Sequence, residues 1–329
     1  MRLPSLLAAA LLAGCTGKYV RPTVAAPIEP TPARLERGGY LVNQVCACGF
    51  CHSSREHGDV LTETERADAF LGGGNVWRDG ATHLSIWIPN VTSDAATGVG
   101  SWSDDELLRA LRDGVRPDGR FLFPVMPYDD YQQLSDDDAR AVVAYLRSAP
   151  KVHQDEPRQP LKLGLLYHLL FESFGVQMHR PAHGVPPPPA NDPVARGRYL
   201  AQVAACTYCH SAGKRGPYRP GDARYMAGSA LPFEDPAVGK VWARNLTPDP
   251  ETGLGRYGAA QIKAAMQSGV RLDGKKMAPP MSQLIAHYSG MSDGDLDALV
   301  AFLKSLPPVH RAVPERQLVP ALAKELGGS

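Results

Sequence analysis

Residues 46–52 have the sequence CACGFCH, and this short stretch decides what the fold is built around. The pattern C-x-x-C-H is the attachment site of a c-type haem, in which the histidine becomes the first axial ligand of the iron. Cys48 and Cys51 have the ordinary spacing before His52, whereas Cys46 and Cys51 fit a wider and rarer spacing before the same histidine. Taken alone, the stretch leaves both cysteine pairings open.

The chain repeats itself, which supplies an internal comparison. RGGYLVNQVCACGFCHS (37–53) returns as RGRYLAQVAACTYCHS (196–211), and NVTSDAATGVGSW (90–102) returns as NLTPDPETGLGRY (245–257). Two further pairs are GVRPDG (114–119) with GVRLDG (269–274), and AVVAYLRSAP (141–150) with ALVAFLKSLP (298–307). The offset is 155 from about residue 70 through residue 126, and 158 around the cysteine motifs. We interpret this pattern as a tandem duplication of one domain.

The second copy settles the cysteine pairing, because its motif is CTYCH and Cys46 falls on Ala204 when the two motifs are aligned. The predicted haem anchors are therefore Cys48, Cys51, Cys206 and Cys209, and the predicted axial histidines are His52 and His210. A zinc site is the rival interpretation, but it usually takes four Cys or His ligands. Cys46 is then predicted to be a small buried thiol, with a redox or cross-linking role as the alternative.

A thioether-linked haem needs a sixth ligand, for which Met and His are the usual candidates. Met126, in FPVMPY, is the single methionine between His52 and the end of the first copy, and the offset places it on Met281, in APPMSQ. We predict that these two methionines ligate the irons. Histidine fails the same test, since His83 maps to Val238. Four other methionines of the second copy are candidate core fillers: Met226, Met266, Met277 and Met291.

Four recurring polar residues are candidate contacts to the haem edge or propionates: Asn90, Asn245, Arg116 and Arg271. The two asparagines lie in turn-like loops, where local backbone hydrogen bonding is the alternative role. The two arginines recur in the GVR turns and could pair with a propionate. An exposed arginine at a helix end is the alternative for them.

The helical skeleton is the same in both copies. A middle helix is predicted to open at Ser103, with Glu106 completing a capping box, and a last helix runs from near Ser135 to just before Pro150. The second copy matches with a helix from Ser292 that stops before Pro307. Because no segment shows sustained period-two alternation, we expect an all-α protein with two tandem domains, each wrapped around one covalently bound haem. The high content of Gly (32) and Pro (30) agrees with long loops around a cofactor.

The N-terminus, MRLPSLLAAALLAGC, has the form of a secretory signal that ends in a lipobox. The predicted organisation is a lipoprotein signal peptide (1–15) ending at lipidated Cys15, a flexible tether (16–33), a first domain (34–152), a linker (153–190), a second domain (191–312) and a C-terminal tail (313–329). The linker contains the apolar stretch 160–178, which three charged or titratable side chains interrupt. We predict a docked linker helix there, with membrane-surface or partner contact as the alternative, and no membrane span.

With these residues in hand, the chain resembles class I cytochromes c arranged in tandem. Its N-x-T-x-D…TG-x-G loop and its G-R-x-L-x-P-x-M-P-Y region are similar to the cytochrome c subunits of bacterial membrane-bound alcohol and gluconate dehydrogenases. That resemblance extends over both copies and the apolar linker. It implies haems that relay electrons from a dehydrogenase subunit toward quinone or a respiratory chain.

These observations predict two haem c groups and an electron-transfer protein rather than an enzyme. Two His/Met irons would be six-coordinate, so no small-molecule substrate is expected, and the net charge of +1 gives no indication of nucleic-acid binding. The expected partners are a redox donor, on the dehydrogenase or quinol side, and a respiratory acceptor. The expected location is the periplasmic side of a bacterial membrane, reached through the lipid anchor. The alternatives are a dihaem enzyme of peroxidase-like or thiosulfate-oxidising type, and a dedicated cytochrome subunit of a dehydrogenase complex.

Overall fold

The computed structural model describes residues 27–79, 84–119, 121–155, 184–211 and 222–327. The elements of its first half are α1 (Pro32–Tyr40), a π-helical turn (Leu41–Val45), α2 (Cys48–His52), a 3-10 turn (Ala67–Ala69), β1 (Asn75–Asp79), β2 (Leu84–Ile88), α3 (Asp104–Asp113), α4 (Tyr128–Tyr131) and α5 (Asp136–Ser148). Those of the second half are α6 (Pro193–Val203), α7 (Cys206–His210), β3 (Phe233–Asp235), β4 (Gly239–Val241), α8 (Ala259–Ser268), α9 (Met281–Tyr288), α10 (Asp293–Ser305), β5 (Gln317–Leu318) and α11 (Pro320–Glu325).

The first and last helices of each half pack closely against each other, α1 on α5 and α6 on α10. At the first crossing, Gly38 lies against the carbonyl of Ala141, and at the second, Gly197 lies against the carbonyl of Ala298. A Cβ atom at either glycine would overlap the carbonyl oxygen, so the close approach of the two backbones requires glycine. The same helix packing thus occurs twice in the chain.

The predicted helix starts are confirmed. The Ser103 hydroxyl accepts from the Glu106 backbone N–H, and the Glu106 carboxylate accepts from the Ser103 N–H, which completes the capping box at α3. Ser135 and Ser292 are the N-caps of α5 and α10, and each hydroxyl accepts a backbone N–H three residues along. Such caps each stabilise a helix by about 1 kcal/mol, which explains why these starts are visible in the sequence.

The chain is mostly helical, but the prediction of an all-α fold is wrong in leaving out strands. β1 and β2 form an antiparallel pair with Trp77 opposite Ile86, and β3, β4 and β5 form a second small antiparallel sheet. In β2, Ile86 and Ile88 are buried, whereas Ser85, the residue before Ile86, is exposed. This alternation covers so few residues that it does not count as a sustained period-two pattern.

The described residues of the stretches assigned to the tether and to the C-terminal tail contact the two halves. The backbone N–H of Ile28 donates to Asp104 at 2.7 Å, and α1 begins at Pro32, inside the stretch assigned to the tether. At the other end, β5 pairs with β4, and Arg244 donates to the carbonyl of Val313. The signal peptide with Cys15 and the apolar stretch 160–178 lie outside the described residues. Within the described ranges, no helix is both long enough and apolar enough to cross a membrane.

One apolar cluster extends through both halves and includes Leu41 and Leu134 of the first and Leu200 and Phe302 of the second. Reciprocal contacts of two tyrosines cross the interface. The Tyr40 hydroxyl donates to Asp295 Oδ2 at 2.6 Å, and the Tyr199 hydroxyl donates to Asp138 Oδ2 at 2.5 Å. In sequence the two tyrosines are equivalent positions of the repeat, and so are the two aspartates. The halves therefore meet through a pseudo-two-fold contact.

Candidate haem sites

Each cysteine motif forms its own short helix, α2 or α7, and a residue in the left-handed conformation immediately precedes it. Ala47 precedes α2 with φ 48°, and Ala205 precedes α7 with φ 53°. A left-handed conformation costs a residue with a side chain roughly 1–2 kcal/mol, so the surrounding packing holds both alanines in place. This break, together with the π-helical turn before it in the first half, redirects the chain so that a new helix starts at the first cysteine of each C-x-x-C-H motif.

The two motif histidines have the same geometry. His52 Nδ1 lies 2.8 Å from the carbonyl oxygen of Pro89, and His210 Nδ1 lies 2.8 Å from that of Arg244. Because a carbonyl can only accept, Nδ1 of each ring carries the proton, and the Nε2 lone pair is available for an iron. Burial lowers the pKa of both imidazoles, while the carbonyl hydrogen bond acts in the opposite direction. Both rings are therefore neutral at neutral pH, as ligation requires.

The four candidate anchoring cysteines are free, half-buried thiols, and Cys48, Cys51 and Cys206 pack against the apolar cluster. Burial raises the pKa of Cys48, Cys51 and Cys206 to about 12, and that of Cys209 to about 11. Over the described parts of the chain, no cluster of three or more His, Cys, Asp or Glu side chains could hold a metal ion directly. Two neutral thiols and one imidazole with a free Nε2, repeated in an apolar setting, fit a covalently attached haem.

The candidate methionine ligands stand in comparable places. Met126 lies just before α4 and Met281 is the first residue of α9; both are half-buried and pack on the cluster that contains the cysteines. Met226 is different, since it is fully buried with φ 57° and occupies the position of Leu71, also fully buried, with φ 62°. Met226 is thus a core residue, as its assignment as a filler implies. Axial ligation by Met126 and Met281 stays a prediction.

The candidate haem-edge asparagines are buried and engaged within the protein. Asn90 Nδ2 donates to Thr97 and to the carbonyl of Val152, and its Oδ1 accepts from the N–H and the hydroxyl of Thr92. Asn245 repeats these four contacts in the second half, to Thr252, Val309 and Thr247. These contacts correspond to the alternative role, local hydrogen bonding, and they fasten the segment that follows the last helix of each half.

The two candidate arginines differ between the halves. Arg116 Nε lies 4.0 Å from Asp118, and its side chain is partly exposed. Arg271 pairs with Asp273 at 2.7 Å and lies 3.6 Å from Glu315. Pairing with a propionate stays a prediction for both residues.

Two carboxylates beside α2 and α7, the buried Asp130 and the half-buried Glu65, were missed by sequence reasoning. Asp130 accepts from the Thr207 hydroxyl, inside α7 of the other half, at 2.5 Å. Glu65 lies so close to Gly49, inside α2, that a Cβ there would be 2.7 Å from its Oε2. Neither recurs at the equivalent position of the repeat, so comparing the two copies could not reveal them.

Comparison with known proteins agrees with this geometry. Residues 194–307 match the cytochrome c family model. The chain is 29% identical to the fructose dehydrogenase cytochrome subunit of Gluconobacter japonicus over 86% of its length, covering 56% of that protein. It is 30% identical to the cytochrome c subunit of the alcohol dehydrogenase (quinone) of Gluconobacter oxydans, again over 86% of this chain and 56% of the relative.

The chain thus spans little more than half the length of these dehydrogenase subunits. A diheme cytochrome c-type protein of Cereibacter sphaeroides is 24% identical over 92% of this chain and 97% of its own length. The predicted resemblance to the cytochrome c subunits of dehydrogenases is confirmed.

Proposed function

Because residues 194–307 form a cytochrome c domain and the chain resembles the cytochrome subunits of dehydrogenases, we propose that it is a dihaem electron carrier. It carries one haem at Cys48 and Cys51 and a second at Cys206 and Cys209. A bound haem supplies one-electron chemistry, since its iron alternates between the ferrous and ferric states.

The repeated histidine geometry carries this proposal. His52 and His210 each donate Nδ1–H to a backbone carbonyl at 2.8 Å, which fixes the ring and directs Nε2 away from that carbonyl. A geometry that occurs twice, each time beside two free cysteines, points to two haem sites rather than one. The chain's own contribution is to bind each haem covalently, to hold the imidazole in one tautomer and to surround the site with apolar side chains.

The carrier accepts electrons from a dehydrogenase or a quinol-side donor and passes them to a respiratory acceptor. This part of the proposal is supported by the names of the relatives, which are cytochrome subunits of fructose and alcohol dehydrogenases. The second candidate function is that of a dedicated cytochrome subunit in a dehydrogenase complex, which the names of the same relatives favour. We place the protein on the periplasmic side of a bacterial membrane, held by lipid at Cys15, on the basis of the lipobox at the end of its signal sequence.

The proposal is tested by optical redox titration of the purified protein, followed by addition of carbon monoxide. We expect two one-electron components, low-spin spectra in the oxidised state, and a reduced spectrum that carbon monoxide leaves unchanged. Rapid binding of carbon monoxide to one haem would indicate an open iron and favour the dihaem enzyme. A titration with no haem component would refute the carrier itself.

A further inference from the structure

A buried carboxylate of the first half touches the haem helix of the second. Asp130, in α4, is 6% exposed and accepts from the Thr207 hydroxyl at 2.5 Å and from Gln202 Nε2. Thr207 lies between the two anchoring cysteines of α7. The carboxylate is thus fixed directly against the peptide loop that would carry the second haem.

In the described parts of the chain, no cation pairs with the Asp130 carboxylate. On its own helix, the Asp129 carboxylate repels the Asp130 carboxylate. From the packed elements, Arg112 is paired with Asp136 at 2.7 Å, Arg109 donates to the carbonyl of Arg116, and Arg198 is exposed. Cys206 and Cys209 carry no charge at pH 7, either as buried thiols or as the thioethers of an attached haem, and burial raises the pKa of the Tyr225 hydroxyl, so that it is neutral too.

A half-buried carboxylate also lies against α2, the helix of the first cysteine motif, but that one is paired. Glu65 lies against Gly49, the position equivalent to Thr207, and its Oε1 is 2.7 Å from His287 Nε2 and 3.7 Å from Arg55. When the helix caps Ser135 and Ser292 are aligned, His287 falls on the position of Asp130. Among the described residues the two sites therefore differ in charge: the carboxylate beside the first pairs with His287 and Arg55, and the one beside the second accepts from the neutral donors Thr207 and Gln202.

Because of this difference, the pKa of Asp130 is raised and that of Glu65 is lowered. Burial, with a smaller contribution from Asp129, raises the pKa of Asp130 to about 7, despite the hydrogen bonds from Thr207 and Gln202. Burial alone would raise the pKa of Glu65 as well, but the hydrogen bond and charge of His287 hold it below its usual value.

We propose that Asp130 is the proton-binding residue that sets the potential of the second haem, the one attached at Cys206 and Cys209. On reduction the iron takes one electron from the donor protein while the Asp130 carboxylate takes one proton from solvent, and oxidation returns both. This inference rests on the proposed function, since it needs a haem at the second site.

The direction follows from the charges. A ferric haem carries one more positive charge than a ferrous haem, so an ionised Asp130 stabilises the ferric state and lowers the potential. The potential of the second haem therefore falls as the pH rises through about 7. Because linkage is reciprocal, reduction of the iron strengthens proton binding by Asp130 by the same factor by which protonation favours reduction. If that factor is roughly tenfold, the potential of the second haem changes by about 59 mV for one electron.

The experiment is a redox titration at several pH values, monitored optically, with the haem methyl resonances of the oxidised protein used to tell the two haems apart. We expect one component to lose about 59 mV across the neutral range. In Asp130→Asn that component should stay near its low-pH potential at every pH. The matched control is Asp129→Asn, which removes the same charge from an exposed side chain one residue away. In this control the component should still lose potential as the pH rises, over a range moved slightly to lower pH because Asp129 no longer repels the Asp130 carboxylate.

Thr207→Val is a second variant that keeps the test informative if Asp130→Asn does not fold. It removes a donor to the ionised carboxylate, so the pH-dependent range should move to higher pH. Two components that are both independent of pH, or a dependence that persists in Asp130→Asn, would overturn the assignment while leaving the dihaem carrier standing. A wild-type protein that titrates with one haem component instead of two would count against the second haem site and so against the proposed function.

Discussion

Each candidate haem histidine is oriented by a single backbone carbonyl, Pro89 for His52 and Arg244 for His210. The carbonyls belong to the residues just before Asn90 and Asn245, whose side chains tie the following turn to the segment after the last helix of each half. The orientation of each imidazole therefore depends on a loop that the asparagine holds in place. This explains why the N-x-T motif recurs with the cysteine motif, although its amide groups are engaged within the protein.

The methionine assignments give a prediction at this scale. Met126→Ala and Met281→Ala should each remove one sixth ligand, so that one of the two haems binds carbon monoxide when reduced while the other does not. Optical titration of each variant with carbon monoxide measures this directly. The core methionine Met226 gives the control, since Met226→Leu introduces the residue found at the equivalent position of the first half and should leave both irons closed. If neither alanine variant changes the spectrum, other residues ligate the irons.

Two helix crossings form the framework of the molecule, and each depends on one glycine. At Gly38 and at Gly197 the facing carbonyl, of Ala141 or Ala298, occupies the space that a side chain would need. In the sequence, this glycine recurs in an Arg-Gly pair before each cysteine motif. Only the structure shows which backbone carbonyl packs against it.

Substitution at these crossings should destabilise the fold. Gly38→Ala and Gly197→Ala should each lower the free energy of unfolding by about 1–3 kcal/mol or more, because the backbones must separate to admit a methyl group. Denaturant unfolding of the holoprotein measures the change. Gly294→Ala is the matched control, since nothing lies within 4 Å of a Cβ at this glycine of α10, and alanine there should be neutral or stabilise by up to about 1 kcal/mol. Equal effects at all three positions would contradict the packing argument.

At the element scale the sequence predicted helices well and strands poorly. The helix starts at Ser103, Ser135 and Ser292 were predictable because a cap is a local contact. The hairpin of β1 and β2 was not, because short strands depend on the partner that they pair with. The left-handed Ala47 was also hidden, because alanine ordinarily favours a helix and tertiary packing overrides that preference here.

For the whole molecule, the pseudo-two-fold interface between the halves could not be predicted from the sequence. Comparing the copies identifies equivalent residues, but it does not tell which face of one half meets the other. The contact of Asp130 with Thr207 and the contact of Glu65 with His287 both cross this interface. Candidate haem anchors and ligands were accessible to sequence reasoning, whereas the charges that would tune the haems were not.

The reciprocal tyrosines give a prediction at this scale. Tyr40→Phe and Tyr199→Phe should each lower the free energy of unfolding by about 2 kcal/mol, since each hydroxyl donates to a buried carboxylate of the other half. Burial and the hydrogen bond to Asp295 raise the pKa of Tyr40. Its contribution is therefore full below the unfolded tyrosine pKa near 10, and it is lost as the pH rises through the raised value.

Thermal and denaturant unfolding at neutral pH check this prediction. Tyr208→Phe is the control, because that hydroxyl also crosses the interface, to the carbonyl of Pro124, but from an exposed side chain. It should change the unfolding free energy by no more than about 0.5 kcal/mol. A loss at Tyr208 as large as that at Tyr40 and Tyr199 would show that burial of the partner carboxylates is not the cause.

The central claim is that this chain carries two covalently bound haems, and mass spectrometry after alkylation tests it most directly. The account predicts an intact mass increased by two haem groups, labelling of Cys46, and no labelling of Cys48, Cys51, Cys206 or Cys209. A mass increased by one haem or none would contradict the claim, and a haem-blocked Cys46 with a labelled Cys48 would overturn the pairing in the first motif.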